Sequence, residues 1–412
     1  MKRRELIKKT ALAIGSTLFL SSCTKKDEPE KTVYQDDTQM QNNSSDNSEI
    51  VPKQTDIYKL SAPMLFDYSA IDELAECNKK YKKIKVKTLY NSIPWPLSSN
   101  YNEWIMLCRG GQNPDIKNFD DFAKYVKYSI DKGFEVCYLM NSPKAFNDLD
   151  LKNFKTDLYK LLDNLYKIGI RKIKFSNTQV AQLIRNHNPK FKLVSSTISE
   201  YNSIIQYRGL LHEFPNVTEI GLPKNENQNF KFIKALRKAF PDISIEIMLN
   251  EGCMKGCFSR YSCMASSYNR FYKLGCKLSS KDMKLNFYKN GRVYPWDLGY
   301  YSALGINNFK IVAMNHRASD NKQPYLLEFM DIAENGLESE YIRNFIIRTF
   351  RVHNFENHIH KFDIDEIISK YYPDIRYFIK NGHNCSTKCG IECNYCEERT
   401  KKLREFEEFL NV

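Results

Sequence analysis

The chain has 412 residues, 42% of them apolar and 13% aromatic, enough to bury a sizeable core, which excludes wholesale disorder. Its formal charge is +13, but the lysines are scattered through amphipathic segments. The excess therefore reads as a solvated surface rather than a stripe for nucleic acid or anionic lipid.

Residues 1–23 read as an address. Arg3-Arg4 opens "KRRELIKK", and an apolar run from Thr10 to Leu20 follows. That run is too short to cross a bilayer and suits the apolar core of a signal segment. "RREL" followed by Ile7-Lys8 resembles the twin-arginine export signal, which a receptor reads. "LSSC", ending at Cys23, resembles the lipobox of bacterial lipoproteins, in which the cysteine is lipidated and becomes the new N-terminus. The expected place is the cell envelope, lipid-anchored on its extracytoplasmic face. The membrane and the export machinery are then partners, and nucleic acid is a poor one. An uncleaved N-terminal anchor is the alternative. Residues 24–55 are polar and without periodicity, as in a flexible tether.

From residue 56 short runs rich in Ile, Val, Phe and Tyr alternate with amphipathic helical segments. The expected strands are Tyr58–Phe66, Ile84–Tyr90, Phe134–Met140, Lys172–Phe175, Lys190–Ser195, Val217–Leu222, Ile243–Leu249 and Phe309–Ala313. Several lack strict alternation, as in a parallel sheet buried on both faces. Eight such strands over residues 56–335 predict a TIM-type (β/α)8 barrel, with a doubly wound open sheet as the alternative. No Gly-x-Gly-x-x-Gly follows an early strand, which argues against a dinucleotide fold. Polar pairs close most of the strands, among them Asn141-Ser142, Ser176-Asn177, Pro223-Lys224, Asn250-Glu251 and Asn315-His316. In a barrel they converge on the C-terminal face, where active sites lie. Residues 336–412 are expected to form a helical, cysteine-rich extension.

Twelve cysteines are present. With Cys23 assigned to lipid, the odd remainder cannot all pair within one chain. Cys77, Cys108 and Cys137 stand alone. One group is Cys253, Cys257 and Cys263, with Cys276 further on; it follows the seventh expected strand, and Gly252 and Gly256 allow close backbone approach. The other is Cys385, Cys389, Cys393 and Cys396. Four thiols so crowded suit a soft centre, zinc or an iron–sulfur cluster, better than two relaxed disulfides. For the first group a cluster, one or two disulfides, and a catalytic thiol with His316 as its base are all open. His353, His358 and His360 lie in a basic helical region and read as solvated.

"SSTIS" (195–199), "IEIMLNEGCMKGC" (245–257), Cys276, "VYPWDL" (293–298) and "GINNFKI" (305–311) occur in the order of the collagenase-like peptidases, the U32 peptidase family. "YLMNS" (138–142) resembles that family's third strand end, and "CSTKCGIECNYC" (385–396) resembles the tail of some members. The resemblance implies a TIM-type barrel. Relatives named for proteolysis include iron–sulfur proteins that support oxygen-independent hydroxylation. It also implies Cys253, Cys257, Cys263 and Cys276 as ligands of a cluster of the 4Fe-4S kind, with a possible second centre, iron–sulfur or zinc, on the terminal four. Where the family has Phe-Lys-Ile-x-Gly-Arg, this chain has Phe309-Lys310-Ile311-Val312-Ala313-Met314, so the usual substrate chemistry is not carried over.

The leading expectation is an iron–sulfur redox enzyme in which Asn250, Glu251 and His316 orient a small-molecule or peptide substrate and a redox partner supplies electrons. The alternatives are an envelope peptidase and a non-catalytic lipoprotein with structural zinc or disulfides.

Overall fold

The computed structural model describes residues 50–53, 56–93, 116, 118–143, 148–265, 281–312, 324–381, 385 and 389–411, the side chains of 148–154 excepted. The calls on Arg3, Arg4, Cys23, Cys108, Cys276 and His316 lie outside the described residues.

Eight parallel strands run β1 Tyr58–Pro63, β2 Ile84–Asn91, β3 Glu135–Met140, β4 Lys172–Phe175, β5 Lys192–Ser195, β6 Val217–Gly221, β7 Ser244–Met248 and β8 Asn308–Lys310. Each pairs with the next in sequence, and β8 closes on β1 through Lys59–Asn308, Leu60–Phe309 and Ser61–Lys310. That last ladder decides for the TIM-type barrel over the open sheet.

The helices between strands are α1 Tyr68–Lys80, α2 Phe119–Asp131, α3 Asp148–Lys167, α4 Thr178–His187, α5 Ile204–Glu213 and α6 Phe230–Ala239. They start where a short polar side chain takes a free N–H. Asp67 accepts from Ser69, Asn118 from Asp121, Asn177 from Gln179 and Asn229 from Phe232. Their apolar stripes, such as Phe122 and Val126 on α2 or Phe230, Ile233 and Leu236 on α6, are buried with one side of the strands.

β8 is shorter than the apolar run Phe309–Ala313 suggests. Its ladder with β7 ends at Met248–Lys310, and the side chain of Asn250 then takes over. Asn250 Nδ2 donates to the Val312 carbonyl at 2.9 Å, and Asn250 Oδ1 accepts from the Val312 N–H at 2.7 Å. The amide thus stands in for one more step of backbone pairing.

The barrel interior holds charge where layers of branched apolar side chains are usual. Lys174 on β4 pairs with Glu246 on β7, three strands away across the interior. Lys172 reaches Glu135 at 2.8 Å and Glu219 at 3.7 Å. Lys310 lies 4.0 Å from the centre of the Tyr90 ring. Burial pushes the Glu246 carboxyl up, but Lys174 and Lys310 outweigh it and hold it below the usual range. Burial, aided by Lys174, pulls Lys310 down to about 8. At the N-terminal end of the barrel a cavity of about 240 Å³ is lined by Lys59, Lys172, Lys192, Glu135 and Glu219, among others.

After β7 the chain makes a long connection containing α7 Arg260–Ala265, α8 Met283–Lys289 and α9 Leu298–Ser302. After β8 come α10 Pro324–Asn335, α11 Ile342–Thr349, α12 Ile364–Tyr371, α13 Ile375–Lys380 and α14 Tyr395–Leu410, the expected helical extension. α14 docks on α8 through Lys289–Glu397 at 2.7 Å and Lys284–Glu407 at 2.6 Å. Phe406 of α14 stacks on Tyr371, ring centres 4.4 Å apart. The extension is therefore fastened to the connection that leaves β7.

Candidate functional site

The site is built on that connection. Glu251, three residues past the end of β7 at Met248, points its carboxylate at Arg260 on α7. Arg260 Nη1 and Nη2 donate to Glu251 Oε1 and Oε2 at 2.7 and 3.2 Å, and Arg260 Nε donates to Glu200. Arg260 is 6% exposed, so this is a buried, forked guanidinium between two carboxylates. Glu200 reaches it from the loop after β5, at φ +54, a left-handed conformation unusual for a glutamate. Glu200 directly follows the "SSTIS" stretch.

Lys224, just after β6, is 1% exposed. Its ammonium donates to the carbonyl of Glu251 at 2.7 Å and to that of Cys253. It clamps the first turn of the connection from below. Burial pulls Lys224 down to about 7, against the attraction of Glu251 and Cys253. Burial would raise the Glu251 carboxyl, but Arg260 and Lys224 hold it low. Cys253 donates its S–H to Glu251, and burial followed by the Glu251 charge pushes the thiol up to about 11. Cys257 and Cys263 are half-buried, and Cys257 caps α7 through its carbonyl, which accepts from the Arg260 N–H at 3.1 Å.

Lys255 lies between Cys253 and Cys257 and leads to the second thiol group. Its backbone N–H donates to the Lys289 carbonyl at 2.9 Å. Its ammonium donates to Gln228, lies 5.1 Å from the centre of the Phe378 ring, and stands 4.0 Å from Cys385 Sγ. Burial pulls Lys255 down, and Cys385, Cys396, Glu226 and Cys389 oppose the shift. A Cβ on Gly291 would come within 2.6 Å of Lys255 Cε, so the lysine needs a glycine beside it.

Three of the terminal cysteines, Cys385, Cys389 and Cys396, lie within electrostatic reach of that ammonium. Cys389 and Cys393 form a β-bridge, and Gly390, at φ +75, gives its N–H to the Cys393 carbonyl at 3.0 Å. That turn needs the left-handed conformation glycine tolerates. Cys396 lies in the first turn of α14, and Cys393 Sγ is 3.6 Å from the Tyr377 hydroxyl. Cys385 is within electrostatic reach of Cys389 and Cys393, and Cys396 of Cys385. Burial pushes the Cys396 thiol up to about 12 and raises Cys385 as well. None of the nine described cysteines outside the undescribed segments is in a disulfide.

A metal or cluster was expected at both thiol groups. Among the described residues no three His, Cys, Asp or Glu side chains stand in ligating geometry. The donor chemistry nevertheless suits a soft centre at the terminal group. Four thiols lie close in sequence, and the half-buried cation in contact with Cys385 would offset the charge that thiolates carry. The first group offers three described thiols, and one of them is committed to Glu251.

Asn250 is used fully by the backbone of Val312. Glu251 holds Arg260 and, through its carbonyl, Lys224, while Glu200 holds the other side of Arg260; these three residues were not anticipated. The only sequence signals for them were Pro223-Lys224 at a strand end and an arginine inside the cysteine stretch. His353 and His360 are exposed, as expected.

No family model and no curated protein matches the chain. Among solved structures it is similar to the U32 peptidase Mk0906, at 10% identity and TM-score 0.41, over 65% of this chain and 96% of that one. It is also similar to CpGH84B, at 13% identity and TM-score 0.40, over 87% of this chain and 68% of that one. A putative lyase/mutase from Burkholderia cenocepacia J2315 matches at 9% identity and TM-score 0.32, over 64% and 77%. At these identities the likeness is that of one barrel to another. Among the described residues no helix is long and apolar enough to cross a membrane.

Proposed function

We propose that the protein is an exported redox enzyme whose barrel mouth carries a thiolate-held iron–sulfur cluster. The single observation behind this reading is the approach of Lys255, a half-buried cation delivered by the loop after β7, to Cys385, with Cys389 and Cys396 within its electrostatic reach and Cys393 bridged to Cys389. In this reading those four thiols hold the cluster, and Cys253, Cys257, Cys263 and Cys276 hold a second. When bound, such a cluster supplies single-electron transfer at a potential set by net charge, hydrogen bonds and burial.

The chain's own residues then have separable tasks. Lys255 would offset thiolate charge, and it ties the β7 loop to Cys385. Lys224 holds the carbonyls of Glu251 and Cys253. Arg260 keeps Glu251 ionised and aimed, so that a carboxylate and a proton-bearing thiol lie side by side at the barrel mouth. Cys253 would have to give up that proton to join a second centre, and burial beside Glu251 makes this costly.

The same raised thiol gives the peptidase alternative little support, since a thiol nucleophile needs a depressed pKa or an adjacent base. Export and lipid anchoring through Arg3, Arg4 and Cys23 remain part of the proposal on the strength of the leader alone.

Oxygen-free purification followed by iron, acid-labile sulfide and zinc analysis tests the reading. Cys385→Ser with Cys389→Ser separates the two centres from Cys253→Ser with Cys257→Ser. Zinc at about one per chain, without iron or sulfide, would move the terminal group to a structural role.

A further inference from the structure

Two arginines near the β7 connection have no acidic partner among the described residues. Arg292 is 4% exposed, and its Nε makes no hydrogen bond. Only its backbone is engaged, the N–H with Asn290 Oδ1 at 3.0 Å and the carbonyl with Gln228 at 3.4 Å. Among the described residues neither Arg292 nor Arg351 forms an ion pair or a side-chain hydrogen bond. A buried guanidinium without an acceptor is costly, and its neighbours add to the cost. Lys224 and Arg351 both lie within repulsive reach of Arg292.

The surrounding hydroxyls are also unanswered. Tyr294 and Tyr325 have buried hydroxyl oxygens with no partner, and both rings lie within electrostatic reach of Arg292. Glu328, the carboxylate on the same helix as Tyr325, is taken by Arg348 at 2.9 and 3.1 Å. Val293 donates to the Leu249 carbonyl at 2.9 Å, which lays this segment against the C-terminal end of β7. Gly252, one residue before Cys253, leaves its bare face toward the guanidinium; a Cβ there would be 4.0 Å from Arg292 Nη2.

We infer that Arg292, Arg351 and the hydroxyls of Tyr294 and Tyr325 form an oxyanion site at the barrel mouth, for a carboxylate or phosphate group of the substrate. Such a group accepts from a guanidinium fork and two phenols at once, and it removes the repulsion between the two arginines. The inference rests on the reading that the C-terminal mouth is the working face, and not on what the thiols hold.

The test uses the purified full chain in an anion-poor buffer, titrated with inorganic phosphate in one arm and acetate in the other. Calorimetry and the thermal midpoint are the readouts. Saturable binding of either anion, with a midpoint that rises with its concentration, supports the site and says which oxyanion it takes. Arg292→Gln is expected to weaken binding roughly tenfold or more, while its midpoint without anion is unchanged or higher because a like charge is gone. Tyr325→Phe, which keeps the ring, is expected to weaken binding by a smaller factor with the fold intact. No anion effect on the parent chain would overturn the inference, as would an Arg292→Gln chain that melts lower without anion yet keeps the parent's anion-dependent rise. A metal-free chain that still binds phosphate through Arg292 would leave this site standing and bring down the cluster reading alone.

Discussion

Lys255 Nζ stands 4.0 Å from Cys385 Sγ, across 130 residues of sequence. This contact joins the loop after β7 to the cysteine-rich extension, so the two thiol groups belong to one region of the molecule. An ammonium beside thiolates stabilises the reduced, more negative state of anything they hold. Lys255→Met is therefore expected to lower the reduction potential of the bound centre by on the order of 50 mV, without loss of iron. Potentiometric titration followed by spectroscopy reads the shift.

The Arg260–Glu251 fork is buried, and removing one partner strands the other. Glu251→Gln or Arg260→Met is expected to cost about 3–5 kcal/mol of stability, read by urea unfolding. Glu251→Gln should also lower the Cys253 thiol, because the nearby negative charge that helps raise it is gone. Its alkylation rate against pH checks this, with the midpoint moving toward that of an ordinary thiol.

Lys174 and Glu246 give the matching test inside the barrel. Both are almost fully buried, at 3% and 0% exposed. Lys174→Met alone is expected to destabilise by about 3–5 kcal/mol. Lys174→Met with Glu246→Leu should recover most of that loss, since an apolar pair restores the kind of interior most barrels have. A double-mutant cycle in urea measures the coupling.

Lys224 makes stability depend on pH. Its folded pKa, about 7, lies below the ordinary value of 10.5. Above pH 7 the folded chain thus binds fewer protons than the unfolded chain. Stability should rise with pH from this group, by at most about 1.4 kcal/mol per unit. Raised thiols and phenols act in the opposite sense only at higher pH, so the window to examine is between about 7 and 8.5. Lys224→Met is expected to flatten the slope there, read by urea unfolding at several pH values.

The barrel was legible in the sequence because its strands are short, apolar and separated by capped amphipathic helices. Its interior was not. "KIKF" at 172–175 was expected only as a strand, and its Lys172 and Lys174 turn inward and meet glutamates on β6 and β7. Alternation reports a polar face without saying whether water or an opposite charge answers it. The candidate site was legible in part. Glu251 and both cysteine groups were in view, because polar strand ends and thiol spacing are local signals. The juxtaposition of Lys255 with Cys385, the reach of Glu200 to Arg260, and the nearness of Arg292 to Arg351 depend on how distant segments fold back, and no local pattern marks them. Asn250 shows the opposite case. A polar residue at a strand end, it spends its amide on the Val312 backbone.

The most direct test of the central claim is iron, sulfide and zinc content, with an absorption spectrum, on the chain purified without oxygen. The account predicts a brown protein with about four iron and four sulfide per cluster, reduced in content by Cys385→Ser with Cys389→Ser. A colourless chain that contains neither iron nor sulfide under those conditions would contradict it.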